Sequence, residues 1–102
     1  MIRARTMQEY RDLIQQALFE TADLRASAEF DEEYMGDSMK FTDPLEAALR
    51  NLEREVAQDT YDFGGEDLPF MPIVVATAPS VLTFRQLLIR INDTHRNGLE
   101  PE

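Results

Sequence analysis

From Thr6 to Met35 the chain contains neither glycine nor proline, and apolar residues recur through the first 23 of those positions at helical spacing. Tyr10, Leu13, Ile14, Ala17, Leu18, Thr21, Leu24, Arg25 and Ala28 fall on one face of a 3.6-residue repeat. Thr6-Met-Gln-Glu9 reads as a capping box, in which the threonine hydroxyl accepts an orphan backbone amide and the glutamate reaches back. A helix from Thr6 to Phe30 would be roughly 37 Å long at 1.5 Å per residue. An element of that length is the spine of a 102-residue chain, and shorter elements have to pack along it.

The remaining elements follow from local chemistry. Asp43-Pro-Leu-Glu46 announces a second helix, with Asp43 as cap and Pro44 at the first helical position. Leu45, Ala48, Leu49, Leu52 and Val56 form its apolar stripe, and Glu46 with Arg50 is an i,i+4 pair. Between the two helices, Asp31-Glu-Glu33 is unfavourable at a helix C-terminus, where the macrodipole already leaves partial negative charge, and Gly36 is free to turn. Residues 60–79 admit a hairpin about Gly64-Gly65 or a short helix. Two prolines within four residues, Pro69 and Pro72, oppose a paired strand, so a short helix capped by Asp67 and burying Phe70, Met71 and Val74 is expected. A last helix follows Pro79, capped by Ser80 or Thr83. Its stripe is Leu82, Phe84, Leu87, Leu88 and Ile91, and it ends at Asn97-Gly98. The tail 99–102 is expected to fray. The expected fold is all-α, a small antiparallel bundle of three main helices plus a short fourth element, forming a single domain over 1–102.

Charge is distributed unevenly along this fold. Residues 29–67 carry thirteen acids against Lys40, Arg50 and Arg54, and both flanks are neutral, so this stretch holds the whole formal charge of −10. Such a surface repels nucleic acid and anionic lipid and attracts a basic protein or a cation. No apolar run approaches the 18 or so residues of a membrane span, and no apolar signal core is present at the N-terminus, so a cytoplasmic protein without membrane contact is expected. The chain has no cysteine, which removes disulfides, thiol nucleophiles and thiolate metal sites.

Catalytic constellations are absent at the level of sequence. His95, the single histidine, lies two residues after Asp93 and so on a different face. Ser27, Ser38 and Ser80 sit in no nucleophile motif, and His95 is expected to bond to helix-end carbonyls or water. The Glu-x-x-His signature of helical di-iron sites is missing, because Asn92 occupies the position three before His95. No catalytic residue, metal ligand set or cofactor is therefore assigned, and the chain is read as non-enzymatic. A divalent-cation site (Ca²⁺ or Mg²⁺) drawing on Glu29 with Glu33, or on Asp59, Asp62, Glu66 and Asp67, is the alternative, although the acids lack the alternation of an EF-hand loop.

The leading reading is recognition. Glu32, Glu33, Tyr34, Met35, Asp37, Met39 and Phe41 interleave acids with aromatics and methionines, the composition of an interface core rimmed by steering charge. Inward packing of the apolar members against the first two helices competes with that role, as it does for Phe63, Leu68, Phe70 and Met71. A non-enzymatic accessory protein that meets a basic partner through its acidic flank is expected. Self-association, if present, would use the neutral first and last helices, because a two-fold axis on the acidic middle sets like charges against each other.

Four segments taken together, Met7-Gln-Glu-Tyr-Arg-Asp-Leu-Ile14, Glu29-Phe-Asp-Glu-Glu-Tyr-Met-Gly-Asp37, Asp67-Leu-Pro-Phe-Met71 and Arg90-Ile-Asn-Asp-Thr-His95, resemble a family of short, uncharacterised proteobacterial proteins. Some of its members are labelled general secretion pathway proteins. The resemblance covers nearly the full chain and implies a small, soluble, bacterial protein. It brings no activity and no catalytic residue.

Overall fold

The computed structural model describes residues 3–30, 41–58 and 61–101, with side chains throughout these ranges except at 28–30. Within them the chain is all-helical. In chain order the helices are α1 (Met7–Phe30), α2 (Thr42–Val56), the short α3 (Met71–Ala76) and α4 (Arg85–Asn97). The all-α reading holds, and residues 60–79 contain the short helix rather than a hairpin. The connection expected over 31–42 lies outside the described residues, apart from Phe41 and Thr42.

Helix α1 buries Tyr10, Ile14, Ala17 and Thr21, spaced alternately four and three residues apart. Helix α2 buries Thr42, Leu45, Leu49, Leu52 and Val56 with the same alternation. That spacing keeps each stripe on one side of its helix, and α1 and α2 form the most extensive helix pair among the described residues. Helix α4 packs on α1 and on α3, adding Leu88 and Ile91 from its own length and Leu82 and Phe84 from the turn before it. Leu68, Phe70 and Val74 close the core from the α3 side. The buried Thr21 hydroxyl donates to the Ala17 carbonyl at 2.7 Å, so its burial leaves no unmet donor.

At three helix ends the carboxylate expected to cap, Glu9, Asp43 or Asp67, is engaged by a tertiary partner instead. The Thr6 hydroxyl does accept the Glu9 amide at 3.0 Å, but the Glu9 carboxylate accepts from Arg90 of α4 at 3.1 Å. Asp43 is not the cap of α2. The helix already begins at Thr42, and the Asp43 carboxylate is taken by Arg25 of α1 at 2.6 Å. Arg25 also reaches Glu46 at 2.8 Å, and Glu46 keeps its expected i,i+4 partner Arg50 at 3.3 Å. Neither Ser80 nor Thr83 caps α4. Burial of Leu82 and Phe84 forces the segment into turns closed on the Ala78 carbonyl, and the helix starts only at Arg85. Gly98 does end α4 as expected, with φ +82° and its amide donating to the Thr94 carbonyl at 2.8 Å.

Asp67 is likewise no cap of α3, which is flanked by Phe70 and carries Pro72 in its first turn. Its carboxylate accepts from the Asn92 carboxamide at 3.0 Å and pairs with Arg96 at 3.4 Å. Asn92, 3% exposed, uses its other end to accept the Leu68 amide at 2.7 Å. One buried side chain of α4 thus sets the approach to α3. Phe70 and Val74 are buried as expected, while Met71 is only half-buried.

Candidate functional site

Past α2 the chain turns back over the end of α4 through residues 61–64. Tyr61 and Phe63 are half-buried against the core, Phe63 as the sequence suggests, and with Tyr10 they form a cluster of three rings. Ring centroids lie 5.9 Å apart for Tyr10–Tyr61, 5.7 Å for Tyr10–Phe63 and 5.1 Å for the edge-on pair Tyr61–Phe63. Edge-on and tilted arrangements set the positive rim of one ring toward the negative face of the next.

His95 joins this cluster instead of bonding helix-end carbonyls. Its Nδ1 lies 2.5 Å from the Tyr61 hydroxyl, and the Tyr61 hydroxyl lies 3.0 Å from that of Tyr10. The His95 carbonyl accepts the Gly64 amide at 3.0 Å, a second clamp between the 61–64 turn and α4. With the imidazole neutral and its proton on Nε2, Tyr61 donates to Nδ1 and accepts from Tyr10, so both hydroxyl protons have an acceptor. Residues 10, 61 and 95 come from α1, the turn and α4, a meeting that no local spacing encodes.

The electrostatics of the chain favour the uncharged forms. Burial, then the hydrogen bond to Tyr61, drive the Tyr10 phenol far above the usual tyrosine range. Burial also raises Tyr61, and Glu55 adds to that, while the bond from Tyr10 opposes it. Burial lowers His95, and the nearby Glu55 carboxylate partly offsets the effect. The two hydroxyls therefore keep their protons and are not activated as phenolate nucleophiles.

A pH dependence follows from the lowered His95. The unfolded chain takes up its imidazole proton near pH 6.5, while the folded chain resists it. Stability is therefore complete above about pH 6.5 and declines as pH falls toward the lowered folded value. Urea midpoints at pH 7.5, 6.5 and 5.5 should drop more steeply for the parent than for His95→Gln. Parallel profiles for the two proteins would contradict it.

Around this chain lies a run of adjoining depressions. A cleft of about 180 Å³ is lined by Glu55 and Gln58 of α2 and its C-terminal extension, Tyr61 and Asp62 of the turn, and His95. A second depression, about 200 Å³, shares Glu55 and continues past Asn51 and Leu52 to Leu68 and Pro69. A third, about 490 Å³, shares Leu68 and Pro69 and extends over Met71, Pro72 and Val75 to Asp67. Val75 is 75% exposed, an unusual position for an aliphatic side chain on a buried-faced helix. One face therefore carries acids toward one end, apolar side chains toward the other, and shared residues between.

Of the residues that the sequence pattern nominates for recognition, Glu32, Glu33, Tyr34, Met35, Asp37 and Met39 lie outside the described residues. Phe41, immediately before α2, is half-buried and packed against the core. Among the described residues no three His, Asp or Glu side chains gather closely enough to hold a metal ion, so Asp62, Glu66 and Asp67 do not converge on a common point. Asp59 lies outside those residues. No described helix is long and apolar enough to cross a membrane. The run of depressions was missed by sequence reasoning, although Leu68, Pro69, Met71 and Pro72 with the acids before them marked its apolar half. Comparison with protein-family models, with curated proteins and with solved structures finds no match to this chain.

Proposed function

We propose that this chain is a non-enzymatic helical-bundle protein that binds a basic, partly apolar segment of another protein along the face between α2 and α3. The observation that carries the reading is the adjoining run of depressions, acidic at the Glu55–Asp62 end and apolar at the Met71–Val75 end. Glu53, Glu55, Asp62 and Glu66 form no ion pair among the described residues, in contrast to Asp43, Glu46 and Asp67, which are neutralised by arginines. Of these four, Glu55 and Asp62 line the polar cleft; uncompensated carboxylates at one end of the face steer a cationic partner, while the apolar end supplies burial.

An array of short peptides varying in charge and apolar content tests this. Peptides combining lysine or arginine with an aliphatic or aromatic residue should bind. Their affinity should fall as ionic strength rises, since exposed pairs are screened beyond about 10 Å at 0.1 M salt. The triple variant Glu55→Lys, Asp62→Lys, Glu66→Lys should lose this binding while retaining its helical circular dichroism. Selection of neutral or acidic peptides, or binding indifferent to salt, would reject the proposal.

A further inference from the structure

The polar cleft at the end of that face has its own chemistry. At about 180 Å³ it falls below the roughly 300–1,000 Å³ typical of pockets for drug-sized ligands, so its occupant is a single small group. Every side chain that lines it is either anionic or uncharged. Helix α2 and its extension contribute the Glu55 carboxylate and the Gln58 carboxamide, the turn contributes the Asp62 carboxylate and the Tyr61 ring, and α4 contributes His95. The imidazole has Nδ1 committed to the Tyr61 hydroxyl, and Tyr61 is held from behind by Tyr10. The nearest cation along α4, Arg96, is engaged by Asp67. Two acidic residues on separate elements, neither in an ion pair among the described residues, thus line a concavity backed by aromatic rings.

We propose that this cleft receives the cationic head of one side chain, the guanidinium of arginine or the ammonium of lysine, from the bound segment. The assignment rests on the functional reading above and adds where the segment's positive charge sits. Glu55 and Asp62 supply charge-assisted acceptors from two sides, the Gln58 carbonyl a neutral one, and Tyr61 a π-surface of the kind that attracts desolvated cations. The apolar neighbours of that cationic residue then run past Leu52 and Pro69 toward Met71 and Val75. The bound cation and a proton on His95 repel each other, so each disfavours the other by the same factor. Acidification releases the ligand.

His95 is the only histidine in the sequence, so its imidazole resonances report on this cleft without ambiguity. The probe is N-acetyl-arginine N-methylamide, titrated into the intact protein and followed by NMR, with N-acetyl-citrulline N-methylamide as the uncharged isostere. The arginine probe should shift the His95 and Tyr61 ring signals, saturating at roughly millimolar concentration, as expected for one weakly held group. It should also move the His95 titration midpoint to lower pH, whereas citrulline should do neither. In Glu55→Gln/Asp62→Asn, two exposed positions where the fold has little to lose, both effects should vanish with the melting temperature unchanged. Equal shifts from citrulline, an arginine response that leaves His95 in place, or an undiminished response in the double variant would each overturn the assignment. If arginine binds here but no peptide binds the wider face, the cleft stands and the groove reading falls. If peptides bind equally to parent and double variant, the groove stands and the cleft assignment falls.

Discussion

Leu49→Ala is expected to destabilise the protein by about 2–5 kcal/mol, the usual range for truncating a fully buried leucine. Leu49 has no solvent exposure and sits at the centre of the α2 stripe, between Leu45 and Leu52, where that stripe meets α1. The loss combines the transfer of the removed methyls with the cavity that close-packed neighbours cannot fill. A domain of this size has a total stability of about 5–15 kcal/mol, so the variant should unfold at a much lower urea concentration and approach the edge of cooperative folding. Arg50→Ala, one residue along and exposed, removes only a surface pair with Glu46 and should change stability by less than about 1 kcal/mol. Urea titrations followed by helical circular dichroism, with equal slopes for all three proteins, make the comparison. A loss below about 1 kcal/mol for Leu49→Ala would contradict the α1–α2 seam as the main source of stability.

Asn92→Leu should cost about 1–3 kcal/mol for a different reason. The leucine side chain is similar in size, so packing changes little, but the Leu68 amide loses its acceptor and stays buried. Asp67 loses the donor that holds it beside Arg96. An unmet buried amide carries its full desolvation penalty, whereas the bond it replaces contributes little net stability. The damage should be local. Amide exchange at Leu68 should accelerate by orders of magnitude, and the third depression should lose its shape because its first wall is no longer fixed. Asp67→Asn, which keeps an acceptor for Asn92 but weakens the exposed pair with Arg96, should be nearly neutral. Uniform acceleration of exchange across all helices would show instead that Asn92 acts on global stability.

These two residues illustrate what was legible in the sequence. Leu49 could be assigned to the core from its neighbours, because a helical stripe is a local pattern and burial follows from it. The same holds for Tyr10, Ile14, Leu88, Ile91 and the short helix after Pro69. Asn92 was noticed only for what it excluded, a metal-ligand signature. Its role depends on a backbone amide 24 residues away, and a polar residue among apolar ones has no periodicity of its own. His95 shows the same gap, since its partner Tyr61 is 34 residues distant. The capping forecasts at Asp43, Asp67 and Glu9 named the right side chains with the wrong partners. At Asp43, Asp67 and Glu9 an arginine brought within reach by another element takes the carboxylate instead of the helix-end amide. The acidic flank was legible as composition. Its division into paired and unpaired carboxylates depends on where Arg25 and Arg96 fall in space.

Of the tail expected to fray, Leu99 instead packs against the core and Glu100 is tied to the N-terminal segment, and this bears on the order of folding. The Ala4 amide donates to the Thr94 hydroxyl at 3.1 Å, and its carbonyl accepts the Glu100 amide at 2.8 Å. Thr94 in turn donates to the Arg90 carbonyl, so the first described residues are stitched to the last across a separation of 90 positions. Closing so large a loop costs conformational entropy that the local turns of α1, α2 and α4 do not incur. Helices form first, on a timescale of about a microsecond or less. This seam must wait until both of its segments are present and the helices have docked. On a ribosome, the buried methyl of Ala4 and the N-terminal edge of α1 stay uncovered while everything between them and α4 is made. They are sealed only once residues 90–101 have emerged.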